Sequence, residues 1–253
     1  MDERKPLLRL FVALDDLLER NERTWWGGVV TDSRIPLIYD ANYARVEADS
    51  VSLADIERTL RPALVASGAT HQHVVLFRPD AARSLLDEME AAGGRFTYDT
   101  AMCFDGDLSL DPELEVGEIV EFDTRFWEAQ QRTLPEFDVI DRPTIAQFVR
   151  WEREILAPAG KRWFGVTMDG EPAGFGALVA LDGVGYVDNV VTFRPFRRRG
   201  VATSIVRRIV REASAARCRH VYLLADDPGP IALYERLGFR DAGQIVGWLK
   251  ALA

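Results

Sequence analysis

The apolar positions of this chain change period along its length, and each change predicts an element. Leu7, Leu8, Leu10, Phe11, Leu14, Leu17 and Leu18 recur at helical spacing, so residues 4–20 read as an amphipathic helix. Trp25-Trp26-Gly27-Gly28-Val29-Val30 reads as a core strand with a turn, the other reading being a ligand pocket lined by two indoles. Residues 36–47 read as a strand and 53–67 as a helix capped by Ser52, with Pro62 disturbing its interior. His73 to Phe77 predicts a short strand; Asp80 caps a helix that Gly93-Gly94 ends, and Arg95 to Phe104 is the next strand. Residues 114–122 predict a strand, and 123–134 and 143–156 helices, the second opened by Arg142-Pro143-Thr144. Lys161 to Met168 and Glu171 to Leu181 are strands joined at Asp169-Gly170; Asp182-Gly183 turns the chain into a strand over Val184 to Phe193. A helix over Thr203 to Arg217, a strand over His220 to Ala225, a short helix over Pro230 to Leu237 and a strand from Phe239 complete the chain.

The order strand, helix, strand, helix, strand therefore occurs twice, once before residue 105 and once from Val184. The helix ended by Gly93-Gly94 before Phe96 parallels the one ended by Gly238 before Phe239. An internal repeat of architecture follows, without sequence identity; an unrelated α/β domain is the other reading. Residues 105–115, DGDLSLDPELE, are the linker candidate and divide the chain into 1–110 and 111–253.

The chemistry gathers at Arg197-Arg198-Arg199-Gly200-Val201-Ala202, between a buried strand and a helix. The first turn of a helix carries N–H groups without intrahelical partners, and the helix dipole adds partial positive charge there. Gly200 lets backbone approach a ligand, Ala202 is nearly as small, and three arginines surround the opening. A pyrophosphate suits such a site; a solvated basic turn is the plain alternative. The pattern Arg197-x-x-Gly200-x-Ala202 resembles the acyl-CoA signature of the GNAT acetyltransferases, Gln/Arg-x-x-Gly-x-Gly/Ala. Downstream, Ala232-Leu233-Tyr234-Glu235-Arg236-Leu237-Gly238-Phe239 is similar to that family's late helix. The resemblance is strong from about Val184 onward, reaches back to about residue 115, and is weak before that.

Composition narrows the rest. The chain of 253 residues is 47% hydrophobic and 28% charged, which predicts packed globular structure in one large domain or two small ones. A net charge of -9 argues against a general nucleic-acid binder but leaves room for a local basic pocket. No apolar run approaches the ~20 residues of a membrane span, and the N-terminus does not read as a secretory signal. Cys103 and Cys218 match no metal spacing, and a reducing, cytoplasmic setting is expected. His71 and His73 form His-x-His on one strand face; without a visible third ligand they read as strand-edge imidazoles rather than a metal site.

The resemblance implies two GNAT-like α/β (α+β) domains, each a mixed, mostly antiparallel sheet flanked by helices. Where the second copy has its arginine turn, the first has only EADSVS, whose Glu47, Asp49 and Ser50 are unsuited to a pyrophosphate; it is expected to be degenerate and to support the acceptor cleft. The activity implied is transfer of an acetyl group from acetyl-CoA to a small-molecule or peptide amine. The amides and side chains of Arg197, Arg198, Arg199, Gly200, Val201, Ala202 and Thr203 would take the pyrophosphate, and the strand edge at Val190, Val191 and Thr192 the pantetheine arm. An N–H near Val191 would serve the oxyanion, Tyr234 would protonate the leaving thiolate, and Asp188 is the candidate base, its other role being hydrogen bonding within the sheet. Asp227 or Asp226 stands where the family commonly has Asn, and Pro228 and Pro230 suggest a shifted loop there. Asp138, Asp141, Glu152 and Glu154 could attract a cationic amine or form a solvated face. A non-catalytic acyl-CoA-binding regulatory module is the alternative function. A nucleotide-phosphate enzyme ranks last, because the P-loop lysine and the Rossmann fingerprint are both missing.

Overall fold

The computed structural model describes residues 3–108, 111–119, 124–134 and 141–252; Asp138 and the ends of several expected elements lie outside the described residues. The chain forms two compact units, one of Met1–Ala101, Ala146–Ile155 and Ala242–Ala253, the other of Met102–Ile145 and Leu156–Asp241.

In the first unit, helix α1 (Lys5–Asp15) precedes β1 (Arg20–Thr24) and β2 (Gly27–Thr31), then β3 (Tyr43–Val46), α2 (Leu53–Ser67), β4 (His71–Leu76), α3 (Arg83–Ala92) and β5 (Arg95–Phe104). Strands β1, β2 and β3 are antiparallel neighbours, while β3 and β4 run parallel. The last strand, β11 (Phe239–Ala251), lies antiparallel on β4 from Val246↔Leu76 to Ala251↔His71. The core gathers Trp26, Ile56, Leu60, Leu64, Val74, Met89 and Trp248. Trp26 is buried and Trp25 exposed, as a strand with a turn requires. The Ser52 Oγ accepts the Asp55 N–H at 3.2 Å and caps α2, and Pro62 is accommodated inside that helix.

The structure departs from two expectations. Residues 36–42 are not strand. The Asn42 side-chain amide donates to the Ile35 and Ile38 carbonyls, each at 3.0 Å, folding this stretch into a turn with a 3-10 segment at Tyr39–Ala41. Asp80 does not cap α3. Pro79 fixes a 3-10 turn over Pro79–Ala81, and the helix begins after Ala82 without a side-chain cap.

In the second unit, β6 (Gly117–Ile119), β7 (Arg162–Met168), β8 (Glu171–Leu181) and β9 (Val184–Thr192) form an antiparallel run, and β10 (His220–Ala225) joins β9 in parallel. Helix α4 covers Thr124–Thr133; α5 covers Arg142–Arg150, after which the expected helix loosens into a π-helical stretch over Trp151–Leu156. Helix α6 (Val201–Ala215) buries Val201, Ile205, Val206, Ile209 and Val210. Helix α7 (Pro228–Arg236) follows β10. The result is a mixed α/β fold with a mostly antiparallel sheet and flanking helices, as expected. The orders β3-α2-β4-α3-β5 and β9-α6-β10-α7-β11 repeat each other, down to the parallel first strand pair.

Candidate functional site

The arginine turn has the backbone its residues suggest. After β9 comes a 3-10 segment, Arg194–Phe196, then Arg197 in an extended conformation. Arg198 and Gly200 both take positive φ, 63° and 81°. Gly200 occupies the N-cap position of α6 and has no side chain with which to cap it. The first intrahelical bond is Ser204 N–H to the Gly200 carbonyl at 3.0 Å, which leaves the Val201, Ala202 and Thr203 amides at the open end. Arg197, Arg198 and Arg199 are exposed around it. The Arg197 Nε donates to the Thr192 carbonyl at 3.2 Å, tying the turn to β9, and the Arg199 guanidinium lies 5.6 Å over the Phe196 ring. An anion placed there would meet helix amides, dipole and guanidinium groups together.

Strand β9 is irregular beside this turn. Its ladder with β10 covers Val184↔His220 to Tyr186↔Tyr222 and ends before Asp188–Thr192. On its other edge Phe175 faces Val191 but Ala177 faces Asp188. Gly176 alone therefore opposes Asn189 and Val190, a β-bulge, and Asn189 sits at φ 50°. Asp188 is at the root of that bulge. Its Oδ1 accepts the Asn189 backbone N–H at 2.9 Å, and its Oδ2 accepts the Asn189 amide at 3.1 Å and the Lys161 ammonium at 2.6 Å. Both Asp188 oxygens are thus engaged by neighbouring groups of the sheet.

Tyr234 lies on α7, buried with Val201 and Leu223 in one apolar cluster against which Val190 packs. Its ring meets Phe239 edge-on at 5.9 Å between centroids, and burial pushes the phenol up to about 12. The group therefore keeps its proton throughout the neutral range, as a proton donor must. Asp227 caps α7, its Oδ1 accepting the Gly229 N–H at 2.7 Å. The helix starts at Pro228 rather than Pro230, because both prolines fall in the first turn, where a missing N–H costs nothing.

His71 and His73 are bonded to backbone: the His71 Nε2 to the Asn42 carbonyl and the His73 Nδ1 to the Tyr39 carbonyl, each at 3.2 Å. Desolvation lowers both, His73 to about 4. Among the described residues no group of three or more His, Cys, Asp or Glu is placed to hold a metal. No described helix is long and apolar enough to cross a membrane. Lys161 is not marked for this region by the sequence, where it reads only as the first residue of an expected strand.

Residues 120–239 match the Acetyltransferase (GNAT) family. The matched stretch holds the bulged strand, the arginine turn and the helix of Tyr234. Over 57 residues the chain is 39% identical to N-alpha-acetyltransferase MAK3 of Arabidopsis thaliana, covering 22% of this chain and 30% of that protein, so the match spans less than a third of that protein's length. Two solved structures share the fold. A GCN5-related N-acetyltransferase from Kribbella flavida superposes with a TM-score of 0.69 at 19% identity, over 100% of this chain and 96% of that one. A tandem GNAT protein from the clavulanic acid biosynthesis pathway gives a TM-score of 0.55 at 15% identity, over 90% of this chain and 81% of that one.

Proposed function

We propose that this chain transfers an acetyl group from acetyl-CoA to an amine of a small molecule or peptide, by direct attack in a ternary complex. The observation that carries this reading is the open first turn of α6 at Gly200, ringed by three arginines and tied to β9 through Arg197. In it Arg197 to Thr203 bind the pyrophosphate, the β9 edge at Val190 to Thr192 takes the pantetheine arm, and the Val191 amide faces the developing oxyanion. Tyr234 gives its proton to the departing thiolate. Asp227 borders the cofactor end while capping α7. Asp188 is assigned to shaping the bulge rather than to taking the amine proton. Residues 1–110 are read as a degenerate second copy, 111–253 as the catalytic copy, and the setting as cytoplasmic.

The test is calorimetry with coenzyme A, paired with thiol release from acetyl-CoA over a panel of small amines, lysine, free N-terminal peptides and aminoglycosides. Binding with turnover on one acceptor supports the reading. Binding without turnover on any of them, and with Tyr234→Phe indistinguishable from the parent, favours an acyl-CoA-binding regulatory module instead.

A further inference from the structure

Lys161 is an uncommon residue for its place. It directly precedes β7, its side chain is wholly buried at 0% exposure, and its ammonium lies 4.9 Å over the Trp163 ring. A buried ammonium is costly unless paired, and a lysine stem alone would pack no better than methionine. Its carboxylate partner, Asp188, is the same group that accepts both the backbone and side-chain N–H of Asn189. Asn189 in turn is the left-handed residue that makes the bulge. Asparagine is among the side chains that tolerate this conformation best, and its surroundings select it there. Here one carboxylate does so, and a buried cation fixes the carboxylate.

We propose that Lys161 is a positioning residue: through Asp188 it clamps Asn189 in the bulge of β9 and so aims the Val190 and Val191 amides. That these amides meet a thioester carbonyl rests on the acyl-transfer reading; the clamp itself does not.

The test is a double-mutant cycle on the full chain, Lys161→Met with and without Asn189→Gly. Glycine takes positive φ freely, so it removes the need for a clamp. Amide hydrogen exchange at residues 189–191 is expected to quicken about tenfold or more in Lys161→Met, with the parent rates kept in the rest of β8 and β9. Turnover of acetyl-CoA with the best amine of the panel is expected to fall about tenfold in the parent background and less than about threefold in the glycine background, a coupling a space-filling lysine does not produce. KM for acetyl-CoA should rise by less than turnover falls, because the arginine turn is untouched and only the strand edge at Val190 and Val191 loosens. Exchange and turnover both within about twofold of the parent, or an equal loss in both backgrounds, overturns the proposal. Should Lys161→Met fail to fold, Asp188→Asn replaces it in the same cycle. The clamp predicts that this variant is rescued by Asn189→Gly, whereas a catalytic base would stay inactive in both backgrounds. If the parent binds no coenzyme A, the acyl-transfer reading falls while the exchange measurement still decides the clamp.

Discussion

Gly200 separates two demands that the arginine turn makes, conformation and space. Its φ of 81° is in the left-handed region, yet a Cβ built there meets nothing nearer than a Glu113 Oε2 at 3.7 Å. Alanine therefore fits sterically, and its penalty is conformational, about 1–2 kcal/mol. For a chain of this size that lowers the melting temperature by roughly 2–8 °C. Asparagine tolerates the left-handed region and should lose less than alanine, although it is the larger residue. Glutamate carries the alanine penalty and adds a carboxylate beside Glu113, at the opening proposed to take the pyrophosphate. Its affinity for coenzyme A should fall by at least about tenfold relative to Gly200→Ala, which corresponds to about 1.4 kcal/mol. Thermal melts of the three variants and calorimetric titration with coenzyme A at one fixed salt concentration read both quantities. If asparagine melts as low as alanine, the conformational argument is wrong. If glutamate binds coenzyme A as alanine does, the anion site lies elsewhere.

Two further outcomes follow from buried titratable groups. Tyr234→Phe keeps the ring against Phe239 and removes a proton donor whose burial holds it at about 12; turnover should drop by about 100-fold with coenzyme A affinity unchanged, and equal turnover would remove Tyr234 from the chemistry. His73, lowered to about 4, is kept neutral by the fold while the unfolded chain binds a proton below about 6.5. Its contribution is therefore complete above about 6.5 and lost as pH falls toward about 4, of order 3 kcal/mol, and urea unfolding of His73→Phe should be flatter than the parent across that window. An identical slope in the two proteins would mean that His73 is not the group responsible.

What the sequence could reveal depended on whether the cause was local. Asp169-Gly170 and Asp182-Gly183 were legible because a two-residue hairpin needs positive φ at both positions, and the structure has 55°, 80°, 49° and 73° there. Ser52 was legible because a cap acts three residues away. Residues 36–42 misled because their apolar run buries Ile35, Ile38 and Ala41 as a turn, held by an Asn42 amide that period-counting does not see. The arginine turn was read from its residues, but the bulge beside it was not. It is set by Lys161 and Asp188, which are 27 positions apart and meet only once β7, β8 and β9 are paired. The pairing of the last strand on β4 was likewise beyond reach, since nothing near either strand encodes it.

The glycines of β8 were hidden by the apolar alternation of Ala173, Phe175 and Ala177, and they explain how the two halves of the site keep one geometry. A Cβ on Gly174 would meet the Val191 carbonyl at 2.5 Å and Val201 Cγ1 at 2.7 Å; one on Gly176 would meet Ile205 Cγ2 at 2.8 Å, Ile209 Cδ1 at 3.0 Å and Val190 Cγ2 at 3.3 Å. Val201, Ile205 and Ile209 follow each other by about 6 Å along α6, and the two glycines by about 6.8 Å along β8, so strand and helix stay in step. The helix that opens at the arginine turn thus rests directly on the strand that faces the bulge. Gly176→Ala should break that seating. Ile205 and Ile209 are fully buried and cannot swing aside, so overpacking should cost about 1–3 kcal/mol. The strain falls on both α6 and Val190, so coenzyme A binding should weaken along with the melting temperature. Gly117→Ala, where a Cβ meets nothing within 4 Å, should change stability by no more than about 0.5 kcal/mol and serves as the control. A Gly176→Ala protein that melts with the parent and binds coenzyme A equally well would mean that helix and bulge are not mechanically joined.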